Sequence, residues 1–156
     1  MTREDGWTLK SALDRAILME EQSHALYSSA IKKVLSPGSK TLLTNLANDE
    51  RRHKSKLERI KQTGVIEQLG SQAKAVVDLQ ILDEVEDVRL SEDATYQEIL
   101  IFAGKREKEA HDYYSEFATR LEGTPTGELF RLLAEEETSH KNKIEKEYES
   151  VVMKDG

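Results

Sequence analysis

Glutamate and histidine recur at one spacing in two places, Glu50-Arg-Arg-His53 and Glu137-Thr-Ser-His140, and a further glutamate precedes each pair, Glu20 and Glu107. On an α-helix, residues three or four apart share a face, so Glu-x-x-His presents a carboxylate and an imidazole to the same neighbour. Together those groups ligate divalent metal ions or move protons. The spacing alone is a weak signal, because glutamate is abundant here. Glu21-Gln-Ser-His24 also fits it, but Glu21 lies off the apolar stripe of its segment and its counterpart further along the chain is Lys108.

The neighbours of the two main pairs carry more information. Read at helical period, Glu20, His24 and Tyr27 fall on one stripe with Leu13, Ile17, Ile31 and Val34, and Glu50 and His53 fall among Leu43, Leu46, Leu57 and Ile60. In the second half, Glu107, His111 and Tyr114 share a stripe with Leu100, Ala103 and Leu121, while Glu137 and His140 lie among Phe130, Leu133 and Ile144. Four carboxylates are thus directed into an apolar core, where an unpaired charge costs several kcal/mol and like charges repel. Arg51, Arg52, Lys54, Lys105, Arg106, Lys108 and Lys141 lie off these stripes and do not neutralise them. Two divalent cations would: four glutamates against two neutral imidazoles then sum to zero. The mixed carboxylate and imidazole set suits iron or manganese, whereas magnesium or calcium favours oxygen alone. The competing reading is a metal-free bundle whose polar layer is satisfied by internal hydrogen bonds.

Four helical segments must carry these groups. The first opens at Thr8 and runs to Ser36-Pro37-Gly38; the second reaches about Gly64; the third starts at Thr95, with Glu98 completing a capping box; the fourth follows Gly123-Thr-Pro-Thr-Gly127 and reaches about Val152. Gly104 lies inside the third segment, either at a close helix contact or simply tolerated. Sliding the chain against itself aligns residues 8–63 on 95–150 without a gap. Glu20, His24, Tyr27, Ala47, Glu50 and His53 pair with Glu107, His111, Tyr114, Ala134, Glu137 and His140. The fold expected is all-α: a four-helix bundle of two duplicated hairpins, 8–63 and 95–150, in one domain spanning 1–156. The connection over 64–94 is too long for a tight turn, so it is read as a crossover that leaves the second and third helices parallel. The halves are then related by a twofold across the bundle axis, under which only residues at mid-height coincide. All six proposed ligands lie near the middle of their helices.

One Glu from each of two helices, with a Glu-x-x-His from each of the other two, is the ligand pattern of ferritin-like di-iron bundles. The segments Glu20-Glu-Gln-Ser-His-Ala-Leu-Tyr27 and Glu107-Lys-Glu-Ala-His-Asp-Tyr-Tyr114, with the two Glu-x-x-His pairs, most resemble the rubrerythrin branch over both hairpins. The resemblance implies two iron ions, with manganese or a mixed centre using the same ligands. Glu50 and Glu137 would bridge them, Glu20 and His53 would hold one ion, and Glu107 and His140 the other. Tyr27 and Tyr114 would orient ligating carboxylates, and His24 and His111 are read as partners beside the ligands or as polar core residues rather than as metal ligands. No catalytic residue separate from the metal site is expected. The implied activity is reduction of hydrogen peroxide or dioxygen; the alternative is a non-enzymatic iron-binding or iron-buffering protein.

Departures from the family pattern refine that expectation. The chain has no cysteine, so it lacks a rubredoxin-type relay and would draw electrons from an external donor such as a rubredoxin-like protein. Ala110 stands where rubrerythrins place an extra glutamate. Arg51 stands where bacterioferritins place a haem-binding methionine, and no fifth helix follows the fourth, so a storage cage is not expected.

Composition sets the remaining limits. In 156 residues the net charge is −7 and 34% of side chains are charged, with basic and acidic residues interspersed, which argues against a nucleic-acid partner. No run has signal-peptide or membrane-spanning character. A cytoplasmic homodimer is the expected form.

Overall fold

Four helices account for nearly all of residues 9–63 and 90–155, the part of the chain that the computed structural model describes: α1 (Leu9–Ile31), α2 (Pro37–Gln62), α3 (Tyr96–Arg120) and α4 (Pro125–Asp155). Their starts follow from local chemistry. Ser36 caps α2, its side chain accepting from the Ser39 amide, and Pro37 occupies the first turn, where a missing N–H costs nothing. Thr95 and Glu98 form the expected capping box on α3, each side chain accepting from the other's amide at 3.1 and 2.9 Å. Thr124 Oγ1 accepts from the Gly127 amide at the head of α4, after a turn in which Gly123 takes a φ of +88°. The first helix ends earlier than its periodicity suggests, at Ile31, and α4 continues slightly further, to Asp155. The expected opening at Thr8 and most of the crossover, residues 64–89, lie outside the described residues.

Short links make α1 with α2, and α3 with α4, antiparallel hairpins, which meet mainly along α1 against α3 and α2 against α4. Two apolar clusters show the direction of each helix. Tyr27, Ala30 and Val34 from late α1 pack with Leu43 and Leu46 from early α2, Ile99 and Leu100 from early α3, and Ile144 from late α4. At the other end, Leu9 and Leu13 meet Leu57, Phe117, Leu121 and Phe130. The second and third helices therefore run parallel, and Thr63 and Leu90 lie at opposite ends of the bundle. The apolar residues read as core sit there, with Ile17, Ile31 and Ile60 only partly buried. Gly104 meets nothing close; a Cβ there would find Ile144 Cγ2 at 3.9 Å, so the glycine is tolerated rather than required. No described helix is long and apolar enough to cross a membrane.

Candidate metal centre

Between the two apolar clusters lies a buried polar layer. Glu20, Glu50, Glu107 and Glu137 are each 1% exposed, His53 is fully buried and His140 is 2% exposed. The helical stripe aims each of them inward, and the mid-height position on each helix brings them to one level. Ligand atoms of Glu20, Glu50, His53 and Glu137 lie within 4.8 Å of one another, as do those of Glu50, Glu107, Glu137 and His140. Glu50 and Glu137 belong to both groups.

The imidazoles point the same way in each half. His53 Nδ1 faces inward, 3.0 Å from both Glu20 Oε2 and Glu137 Oε1, and His140 Nδ1 lies 3.1 Å from Glu50 Oε1. Each Nε2 faces outward to a carboxylate on the opposite hairpin: His53 to Glu136, and His140 to Asp49 at 3.0 Å. Such an outer carboxylate fixes the tautomer and ring orientation, leaving Nδ1 free for a metal.

Tyrosines complete the layer in a crossed pattern. Tyr27 donates to Glu107 Oε1, and Tyr114 donates to Glu20 Oε1 at 3.0 Å, so each half supplies the phenol for the other half's glutamate. Burial, reinforced by neighbouring carboxylates, raises both phenols well above their usual range and keeps them protonated donors.

The carboxylates are poorly satisfied. Both oxygens of Glu50 and of Glu137, one of Glu107, and His140 Nδ1 are buried without a hydrogen-bond partner. Burial, followed by repulsion from the other glutamates, pushes Glu50 and Glu137 well above the ordinary carboxylate range. Glu20 is also raised by burial, against contacts with His53 and Tyr114. Burial acts on Glu107 too, but its contacts with Glu137, His140 and Tyr27 outweigh it and hold this group low. Surface cations are engaged elsewhere, as in Lys54 with Glu21 and Arg131 with Glu128 and Glu135. Acceptors without donors, converging with imidazole nitrogens in a sealed layer, are the donor set of two divalent cations.

Two groups of residues make contacts that the sequence does not specify. His24 and His111 are half-buried and turn away from the carboxylates; Nδ1 of each bonds a main-chain oxygen of the paired helix, Ala47 O at 2.9 Å and Ala134 O at 3.0 Å. Helical phase put them near the inner stripe, but the acceptor is a carbonyl that no residue type marks. Conversely, Asp49 and Glu136 look in the sequence like solvated charges beside the two shared glutamates. Their alignment in the repeat, each acidic and each just before an inward Glu, is the signal that distinguishes them.

Fold and site together define a ferritin-like helical bundle with a carboxylate and histidine layer fitted to two metal ions. The rubrerythrin family model matches residues 10–95 and 98–154, and the chain belongs to the rubrerythrin family, a ferritin-like di-iron family. The comparison with curated proteins gave no match, and neither did the comparison with solved structures.

Proposed function

We propose that this protein binds two iron ions in the layer and acts as an oxidoreductase, reducing hydrogen peroxide or dioxygen with electrons from an external donor. The observation that carries the reading is the pair of four-residue groups sharing Glu50 and Glu137, with oxygens of both left without donors. Glu50 and Glu137, which belong to both groups, would be shared by the two ions, Glu20 and His53 would hold one ion, and Glu107 and His140 would hold the other. Bound there, two iron ions would provide the redox chemistry of the reduction, with the electrons restored by the external donor.

The chain's own groups do the rest. Tyr27 and Tyr114 hold Glu107 and Glu20 in place through their hydroxyls. Glu136 and Asp49 fix His53 and His140 with Nδ1 inward. The apolar clusters on either side limit bulk water at the layer. These 156 residues hold no cysteine, so the electron donor proposed lies outside them, a rubredoxin-like protein being the class proposed, and the assembly proposed is a cytoplasmic homodimer.

Metal analysis of protein purified without added metal, followed by peroxide assays with a supplied reductant, tests the reading. Two iron ions per chain and repeated turnover support it. Manganese in their place would reassign the metal, and a single stoichiometric oxidation without turnover would assign iron binding or buffering instead.

A further inference from the structure

All four histidines pair under the internal repeat, yet only His53 and His140 belong to the metal layer. The other two make the same contact twice. His24 Nδ1 on α1 bonds Ala47 O on α2, and His111 Nδ1 on α3 bonds Ala134 O on α4. Each acceptor lies within its own helix, so the imidazole rescues no orphaned group, and at Ala134 O the Thr138 hydroxyl donates as well, at 3.3 Å. The alanines are 4% and 5% exposed, and their small side chains let the ring reach the backbone.

The position of these contacts gives them a consequence. His24 lies four residues after Glu20, about 6 Å along α1, and Ala47 lies three before Glu50, about 4.5 Å along α2. Because α1 and α2 are antiparallel, both offsets point toward the same end of the bundle. Joining His24 to Ala47 therefore brings Glu20 and Glu50 to one height. In the second hairpin the corresponding offsets, His111 after Glu107 and Ala134 before Glu137, point toward the opposite end. The two contacts thus straddle the metal layer, one for each hairpin. Their surroundings differ: Arg51 Nη2 lies 3.5 Å from His24 Nε2, whereas Thr138 Oγ1 lies 2.8 Å from His111 Nδ1 and shares its N–H with Ala134 O. The backbone contact is what the two halves have in common.

We propose that His24 and His111 are positioning residues, each setting through its Nδ1–H the register of one hairpin, so that His24 governs the ion held by Glu20 and His53, and His111 the ion held by Glu107 and His140. This deepens the two-metal reading and rests on it.

Stepwise titration of the metal-free protein with Co(II), followed by its visible absorption bands, tests the assignment. His24→Phe keeps the ring volume and loses the donor; His24→Asn keeps an N–H near the place of Nδ1 and loses the ring. The Phe variant is expected to weaken one Co(II) step about tenfold, the scale typical of outer contacts to a metal site, and to alter its bands, while the Asn variant stays within about threefold of wild type. In a His53→Ala background, where that ion's site is already broken, His24→Phe adds nothing, but His111→Phe weakens the remaining ion. Equal loss at both steps, a lower melting temperature with both affinities unchanged, or recovery by Phe rather than Asn overturns the proposal. Wild-type protein that takes up no Co(II) overturns the two-metal reading itself, and this inference with it.

Discussion

His53 and His140 stack face to face, their ring centroids 5.7 Å apart and their planes 13° from parallel. Burial should favour neutral rings, yet contacts with Glu136, Glu20 and Glu50 raise His53 to about 10, and contacts with Glu107 and Glu50 raise His140 to about 11. Two imidazolium ions this close repel each other. Glu107 within the layer and Glu136 outside it, both held low by their contacts, supply negative charge beside the rings. In the metal-free protein, protons take the electrostatic place of the cations.

Metal loading should therefore release protons. A ligating Nδ1 must be deprotonated, and so must the carboxyls of Glu50 and Glu137, which burial has pushed upward. On the order of two to four protons per chain should appear when two divalent ions bind at neutral pH. A pH indicator in weakly buffered solution reads the yield directly, and a release near zero would show that the layer is already deprotonated.

The same shifts fix the sign of the pH dependence. For His53, His140, Glu50 and Glu137 the folded value lies above the unfolded one, so their contribution is complete below the unfolded value and is lost as pH rises through the folded value. For the two histidines that window runs from about 6.5 to between about 10 and 11. Glu136 behaves oppositely: His53 lowers it to about 2, and its contribution disappears as pH falls below the usual carboxylate range. The melting temperature of metal-free protein should fall steadily from pH 7 to 10, and bound metal should flatten that slope.

Replacing the shared glutamates separates binding from folding. Glu50→Gln with Glu137→Gln keeps the side-chain volume and removes two buried carboxyls whose ionised forms burial disfavours. Bound metal should drop from two ions per chain to none, while metal-free stability gains most at alkaline pH, where the wild-type carboxyls are driven toward ionisation. Metal analysis and denaturant unfolding give the two readouts. Unchanged metal content would displace Glu50 and Glu137 from the site.

Much of this layer was legible in the sequence because ligands and core residues share one helical period, and because the duplication repeats Glu20, Glu50 and His53 as Glu107, Glu137 and His140. The parallel course of α2 and α3 was legible from connection length. Less visible were contacts whose partner is main chain, such as His24 to Ala47 O. A charge that bonds inward from a half-exposed position was also hidden: Glu136 has the same local composition as Glu135, but only one of them reaches a buried imidazole. Aromatic clustering of Tyr113, Tyr114, Phe117 and Phe130 was likewise unseen, since of the matched positions in the first half, Leu26, Tyr27, Ala30 and Leu43, only Tyr27 is aromatic.

Two glycines should respond in opposite directions to alanine. At Gly104, inside α3, the added Cβ finds only an ordinary contact, so Gly104→Ala should stabilise by about 0.5 to 1 kcal/mol through helix propensity. At Gly127 the Cβ would lie 2.1 Å from Leu121 O, a backbone atom of the turn into α4. Gly127→Ala should cost about 2 kcal/mol or more, because that carbonyl moves only with the turn. Thermal melts of both variants decide the matter, and equal effects would contradict the turn geometry.

The outer carboxylates give the finest test of how the imidazoles are held. Glu136 and Asp49 each bond the Nε2 of a histidine on the opposite hairpin, but their other obligations differ. Asp49 also pairs with Arg52, so part of its charge is engaged at the surface. Glu136 carries the leading favourable contact on His53 and is itself strongly lowered by it. Glu136→Gln should therefore weaken metal binding more than Asp49→Asn, both falling within about 10- to 100-fold, the range for outer partners of ligating histidines. Glu135→Gln serves as the control: Glu135 faces solvent and pairs with Arg131, so its loss should leave affinity unchanged. Stepwise Fe(II) titration under anaerobic conditions reads all three. A loss at Glu135 equal to that at Glu136 would mean that general surface charge, rather than the histidine contact, sets the affinity.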